Sequence, residues 1–191
     1  MRSLVYYVAV SLDGRIAGPR GEYDFYPVDD EYSRQMNEEW SDGLPTGLHE
    51  ALGITPPRTK WDTVVMGRGT FQPAIDMGIA DPYAHLRTIV YSSTLNQADH
   101  PAVEIVADDP VAHMRALKAE EGGDIWLCGG AKLAGTLADQ IDRLVTKIYP
   151  VTAGDGIPLF QDGFAPRRWT LTDHRVFDIG VILAQYDRAR S

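Results

Sequence analysis

The segment DIWLCGGAKLAGTLADQIDRL, residues 124 to 144, constrains the fold more than any other part of the chain. A short apolar run ends directly in Gly129-Gly130, and a helical pattern opens at about Ala131. An apolar run of that length bounded by glycine reads as a strand buried on both faces, and a strand that passes without a linker into a helix belongs to an α/β sheet. The same grammar recurs along the chain. SLVYYVAV (3 to 10), DTVVM (62 to 66), TIVYS (88 to 92), VEIV (103 to 106) and RLVTKIYPV (143 to 151) are further strand signals, separated by helix-like stretches.

Two helices are legible from their starts. In residues 29 to 40, DDEYSRQMNEEW, the first turn is acidic and Tyr32, Met36 and Trp40 recur at i, i+4 and i+8 on one face. Asp109 caps a second helix with Pro110 at its first position and Val111, Met114 and Leu117 facing inward. Residues 41 to 60 carry Gly43, Pro45, Gly47, Gly53 and Pro56-Pro57, and read as an irregular loop with at most a short helix. The tail alternates as two antiparallel strands, 168 to 173 and 176 to 186, joined near His174-Arg175. The expectation is one α/β domain over residues 1–191: a mixed, mostly parallel central sheet with flanking helices and an antiparallel C-terminal hairpin. The length of 191 residues agrees, because a domain averages about 150 residues.

Charge and cysteine content then exclude several functions. Eighteen Lys and Arg against 27 Asp and Glu leave a net charge of −9 spread along the chain, which disfavours a nucleic-acid-coating role. An anionic ligand must therefore be held by a few arginines and by backbone amides. The single cysteine, Cys128, allows no intrachain disulfide, and beside apolar Leu127 it reads as a core residue. The segment MRSLVYYVAV is too short to span a bilayer, so the default location is the cytoplasm, with no membrane partner. The five histidines show no ligand spacing, and no metal site is expected.

Three strand ends carry groups suited to a phosphate-bearing ligand. At Gly129-Gly130 the backbone admits close approach, and the free amides of the following helix start favour an anion; a tight strand-to-helix turn would recruit glycine equally. In VVMGRGTF (64 to 71), Gly67 permits approach, Arg68 supplies a guanidinium fork and Thr70 a hydroxyl, although an arginine after a strand is often merely solvated. Ser92-Ser93 closes a third strand and serves either a phosphate or ribose or a simple turn. Neither the P-loop nor the GxGxxG fingerprint matches at these places. If all three ends point to the carboxyl edge of one parallel sheet, they form the position at which open α/β folds bind ligands.

Taken in order, SLDGRIAG (11 to 18), MGRGTF (66 to 71), YSSTL (91 to 95), LCGGAKL (127 to 133) and IYPVTAGDGIPLF (148 to 160) resemble the dihydrofolate reductase superfamily. The likeness is stronger to its branch related to the reductase domain of bacterial riboflavin biosynthesis, and it covers nearly the whole chain. The resemblance implies NADPH as cofactor and hydride delivery to an unsaturated or carbonyl-type centre. It implies that Ala9 and Ile16 flank the nicotinamide and that Gly67, Arg68 and Thr70 meet the pyrophosphate and adenosine phosphate. Ser92 and Ser93 then receive the adenosine side, while Gly129, Gly130, Ala131, Lys132 and Leu133 form a second phosphate loop. Arg68, and after it Lys132, is the expected reader of the 2′-phosphate.

The proton donor is less legible. An acid near the start of the first helix orients the substrate in dihydrofolate reductases, and Asp29, then Asp30, fits that place here; Asp24 is a further polar candidate. The same acids also suit a helix N-terminus stabilised from the solvent side. The preceding GEYDFYP departs from the folate-enzyme pattern, no cluster of Lys or Arg announces a phosphoribosyl site, and no deaminase segment with zinc ligands accompanies the domain. The resulting expectation is a reductase similar to the 5-amino-6-(5-phosphoribosylamino)uracil type, acting on a small heterocyclic or pyrimidine-type substrate. Dihydrofolate reduction and a non-catalytic nucleotide-binding dimer stand as alternatives. A homodimer built on the C-terminal strands is expected, as in related reductases.

Overall fold

A computed structural model describes residues 1–55 and 60–189; Pro56-Pro57 of the expected loop lies outside them. Eight strands form one sheet. They are β1 (Leu4–Ser11), β3 (Trp61–Gly67), β4 (Arg87–Tyr91), β5 (Glu104–Val106), β6 (Asp124–Gly129), β7 (Arg143–Tyr149), β9 (Trp169–Val176) and β10 (Ile182–Arg188), in the order β5-β4-β3-β6-β1-β7-β10-β9. The first six run parallel and the last two are antiparallel additions, so the sheet is mixed and mostly parallel as the apolar runs require. Four helices flank it: α1 (Asp30–Trp40), α2 (Arg68–Asp76), α3 (Pro110–Ala119) and α4 (Ala131–Thr136).

Burial on both faces explains why the central strands are continuously apolar. On one face Val5, Tyr7, Val64, Met66, Trp126, Val145 and Tyr149 meet the α1 stripe of Tyr32, Met36 and Trp40. On the other, Leu4, Tyr6, Val65, Ile89, Ile125 and Leu127 pack with Met114 and Leu117 of α3 and with Leu133 and Leu137 at α4. Fully burying an aliphatic side chain contributes about 1.5–3 kcal/mol, so the two clusters hold the layers together. The helix starts follow the capping rules. Asp29 accepts the N–H of Tyr32 (2.7 Å) and Asp109 that of Val111 (2.9 Å), with Pro110 opening α3.

Two features depart from the sequence reading. The tail hairpin turns at residues 177–181 rather than near His174-Arg175, because those two residues are paired in the ladder with Ala184 and Leu183. The turn is made by Gly180, with φ +87°, whose N–H donates to the Phe177 carbonyl (2.8 Å). Secondly, the stretch after SLDG forms a short strand, β2 (Arg15–Ala17), paired with β8 (Ile157–Pro158). Gly156 sits so close to it that a Cβ would lie 2.2 Å from the Ala17 carbonyl oxygen. The loop region 41 to 60 holds only two single-turn 3-10 helices among its described residues, in line with its Gly and Pro content.

Candidate functional site

All six parallel strands point their carboxyl ends to one edge, and the expected phosphate-binding segments gather there. β3 ends in Gly67 and feeds α2; β6 ends in Gly129 and feeds α4 through Gly130. Both helices begin on a glycine with no side-chain cap, which leaves first-turn N–H groups without an intrahelical partner. Arg68 reaches across to the end of β4, donating from Nη1 to Thr94 Oγ1 at 2.9 Å. Thr70 faces the glycine pair: a Cβ on Gly129 would lie 3.2 Å from its Oγ1, and one on Gly130 3.4 Å. Gly129 also has φ +155°, and the Gly129-Gly130 peptide is cis. A Cβ on Gly67 would touch Leu133 at 3.8 Å, so β3 and α4 are in contact through that glycine. Three segments between residues 67 and 130 therefore converge on one sheet edge.

Other expected contacts take different positions. Ser92 Oγ accepts the N–H groups of Thr94 (3.2 Å) and Leu95 (3.1 Å), making the turn after β4, while Ser93 is exposed. Ala131 and Leu133 are buried on the inner side of α4 and Lys132 projects outward. Ile16 packs against the cluster that contains Leu133, and Ala9 against the cluster under α1, so the two lie on opposite faces near the end of β1. The β1 turn is tied down by Asp13, which accepts from Ser11 Oγ (2.6 Å) and from the N–H groups of Ala153 (2.9 Å) and Gly154 (2.7 Å). The Ser11 hydroxyl first, then the two amides, hold its carboxyl down at about 2.

The acids proposed from sequence sit away from the interior. Asp29 is exposed and its carboxylate is engaged in capping α1. Asp30 is exposed and opens on a shallow surface hollow shared with Ser33, Arg34 and Asn37 on the outer side of the helix; Asp24 is exposed as well. The geometry thus displays the helix-capping role of Asp29. Between α1 and the sheet the polar groups are of another kind. Tyr32 and Tyr149 join their hydroxyls at 2.8 Å, Tyr83 places its hydroxyl 3.8 Å from Cys128 Sγ, and Lys147 lays its ammonium 4.4 Å from the centroid of the Tyr7 ring. Burial pushes the Cys128 thiol up to about 11, which makes it an inert thiol as its apolar neighbours suggest. Lys147 and Tyr83 escaped sequence reading; the available signal was a lysine inside RLVTKIYPV, a strand otherwise buried on both faces. Among the described residues no group of three or more His, Cys, Asp or Glu is arranged to hold a metal ion, and no helix is long and apolar enough to cross a membrane.

Comparison with known proteins agrees with this architecture. Residues 2–183 match the model of the RibD C-terminal domain family. YwjB of Bacillus subtilis (strain 168), an uncharacterized protein, is 31% identical over 163 residues, covering 84% of each chain. YyaP of the same organism, likewise uncharacterized, is 27% identical over 198 residues, 97% of this chain and 94% of that one. Among solved structures, a Shewanella sp. PV-4 protein named for riboflavin biosynthesis superposes with a TM-score of 0.72 at 24% identity over the whole of both chains. The diaminohydroxyphosphoribosylaminopyrimidine deaminase/5-amino-6-(5-phosphoribosylamino)uracil reductase of Thermotoga maritima gives 0.65 at 17% identity, over 98% of this chain and 57% of that one. Dihydrofolate reductase of Enterococcus faecalis, complexed with NADP(H), gives 0.64 at 18% over 98% and 97%. These three likenesses establish the dihydrofolate-reductase-like fold. The family match across nearly the full length, together with the YwjB identity, establishes that the chain belongs to the RibD C-terminal domain family.

Proposed function

We propose that the chain is an NADPH-dependent reductase of a small heterocyclic, pyrimidine-type substrate. The observation that carries this reading is the convergence of Arg68, Thr70 and Gly129-Gly130 at the carboxyl edge, with two glycine-started helices directing uncapped amides to the same place. That arrangement fits a pyrophosphate, since backbone N–H groups donate to its oxygens and no β-carbon blocks the approach at Gly67, Gly129 or Gly130. Arg68, fixed by Thr94 and exposed on its outer side, suits the 2′-phosphate that separates NADPH from NADH. When bound, the cofactor supplies a hydride. Ala9 and Ile16, at the end of β1 and on β2, are the chain's groups for the nicotinamide end. The protein named in Thermotoga maritima as a uracil reductase and the NADP(H)-bound dihydrofolate reductase share the fold and support this choice of cofactor class.

Titration of the purified chain with NADPH and with NADH, followed by Trp quenching and cofactor emission, tests the reading. Micromolar, NADPH-selective binding is expected, and no response to either cofactor refutes it. Loss of absorbance at the reduced-cofactor band with 5-amino-6-(5-phosphoribosylamino)uracil, but not with dihydrofolate, distinguishes the uracil-type reading from folate reduction. NADPH binding without transfer to any acceptor would favour a non-catalytic nucleotide-binding role.

We also propose a homodimer in the cytoplasm. β9 is an edge strand whose residues after Trp169 are all exposed, including Leu171 at 50% and Val176 at 65%, and its outer backbone groups offer a template for a second copy of the strand. Sedimentation at micromolar concentration should give twice the 21.1 kDa chain mass, and a single monomer peak rejects the dimer.

A further inference from the structure

We propose that Lys147 holds, and gives a proton to, the heteroatom of the acceptor's reducible double bond. The proposal rests on the reductase reading above. In the sheet, Lys147 is in register with Ala9 of β1 on one side and Leu183 of β10 on the other, which places its strand position directly beside the residue assigned to the nicotinamide end. Neighbouring strands are about 4.8 Å apart, so a side chain there lies within reach of any acceptor seated against the reduced ring. It is partly buried, and burial is the main influence on its ammonium.

The second observation is the missing counter-ion. Lys60 is paired with Glu39 at 2.8 Å and Lys118 with Asp142 at 2.5 Å, whereas among the described residues no carboxylate pairs with Lys147 and no hydrogen bond satisfies its ammonium. Its ammonium lies over the face of Tyr7, 4.4 Å from the ring centroid. Withdrawing an ammonium from water without a counter-charge is costly, and such a group persists where something else meets it. The groups that face this region from the packed elements are Tyr7 of β1, Cys128 of β6, Tyr149 of β7, Tyr83 between α2 and β4, and Glu39 near the end of α1, whose carboxylate Lys60 holds. Burial pushes Tyr7, Tyr83, Tyr149 and Cys128 upward, so all stay neutral near pH 7. Burial lowers Lys147 to about 8. It is therefore the group of this set with a proton to give near neutral pH, and its three donors on a flexible stem suit an oxygen or nitrogen acceptor.

The chemistry balances with the dihydronicotinamide as reductant. Its hydride, with the electron pair, forms a C–H bond at the carbon of a C=O or C=N group while the π bond breaks. The proton of Lys147 Nζ forms the O–H or N–H bond, the cofactor is oxidised, and solvent reprotonates the amine. An ammonium presented among phenols selects an acceptor with carbonyl oxygens, neutral or anionic, over a cationic ring.

The test uses the full chain, with Lys147→Met, Lys147→Arg and 5-amino-6-(5-phosphoribosylamino)uracil as the probe. Acetic anhydride labelling read by peptide mass spectrometry should show half-labelling of Lys147 near pH 8 and protection by the uracil compound without any cofactor. Lys147→Met should keep its NADPH affinity but lose about 10²–10⁴-fold in turnover, the usual contribution of a general acid. Wild-type activity should fall as pH rises through about 8, since the protonated amine is the active form, and this limb should be absent in Lys147→Met. Lys147→Arg should retain the KM for the probe while turnover stays low, because guanidinium keeps its proton. Normal NADPH binding with an unprotected Lys147, or a Lys147→Met enzyme with the wild-type pH profile, overturns the proposal alone. Failure of the wild type to bind NADPH overturns the reductase reading and the proposal with it.

Discussion

Replacing Arg68 by alanine should separate the two nicotinamide cofactors. Arg68 is exposed at the head of α2, with Nη1 resting on Thr94 Oγ1 at 2.9 Å. A hydrogen bond to a charged group contributes about 1.5–3 kcal/mol, and exposure to solvent places this one at the lower end. About 1.5 kcal/mol corresponds to roughly a 12-fold loss, because 1.4 kcal/mol is tenfold. The contact with Thr94 holds the fork before ligand arrives, so Thr94→Val should give a smaller loss in the same direction. Fluorescence titration of wild-type and variant protein with both cofactors measures this directly. NADPH should weaken by about an order of magnitude and NADH by much less. The gap should narrow as salt is raised, since the screening length at physiological ionic strength is only about 8 Å. An equal loss for NADPH and NADH would show that Arg68 does not read the 2′-phosphate, and unchanged affinity for both would move the cofactor off this edge.

Three further expectations concern the framework. A Cβ at Gly135 would lie 2.3 Å from the Gln161 carbonyl oxygen, a backbone atom, so Gly135→Ala should destabilise by about 1–3 kcal/mol, and an unchanged melting temperature would contradict the packing of α4 on that loop. Asp13 has its carboxyl held down at about 2 by Ser11 and the Ala153 and Gly154 amides. A depressed carboxylate adds stability above its unfolded value, about 3.9, that is lost as pH falls through about 2; the pH dependence of acid unfolding should therefore flatten in that window for Asp13→Asn. Arg2, with a side chain 4% exposed, donates to Asp62, to Thr63 Oγ1 (2.6 Å) and to the Gly123 carbonyl (2.7 Å). Arg2→Met should cost about 2–3 kcal/mol in denaturant melts, below the full penalty for breaking a buried pair because Asp62 is one-third exposed.

The parts of this fold that local chemistry determines were legible, and the parts that depend on distant pairing were not. Asp109-Pro110 and the Tyr32, Met36, Trp40 stripe carry their own helix signals, and both helices begin within a residue of expectation. The hairpin turn was misplaced because His174 and Arg175 look like turn residues by polarity, while Asp178 and Gly180 do the turning. β2 and β8 are too short to show periodicity and exist through their mutual pairing and the close approach at Gly156. At the carboxyl edge, the glycine and arginine segments were identifiable because a glycine pair and an arginine at strand ends stand out in a local reading. Asp29 caps α1, and a capping carboxylate and a catalytic one have the same sequence appearance. Lys147 was missed because a strand buried on both faces gives no alternation by which to tell which face a charged residue enters.

The strand order also governs how the chain must be assembled. β1 emerges first in synthesis, yet its partners are Leu4 with Ile125 in β6 and Val5 with Arg143 in β7. Its backbone groups thus have no sheet neighbour until roughly two-thirds of the chain has been made. Meanwhile β3, β4 and β5 can pair among themselves. Completion comes later still, since β7 gains its second neighbour only with β10. Sequence-distant pairing of this kind slows folding. An apolar first strand waiting for its slot is a target for chaperones and for aggregation, and arrest of translation before residue 149 should leave it open to proteolysis.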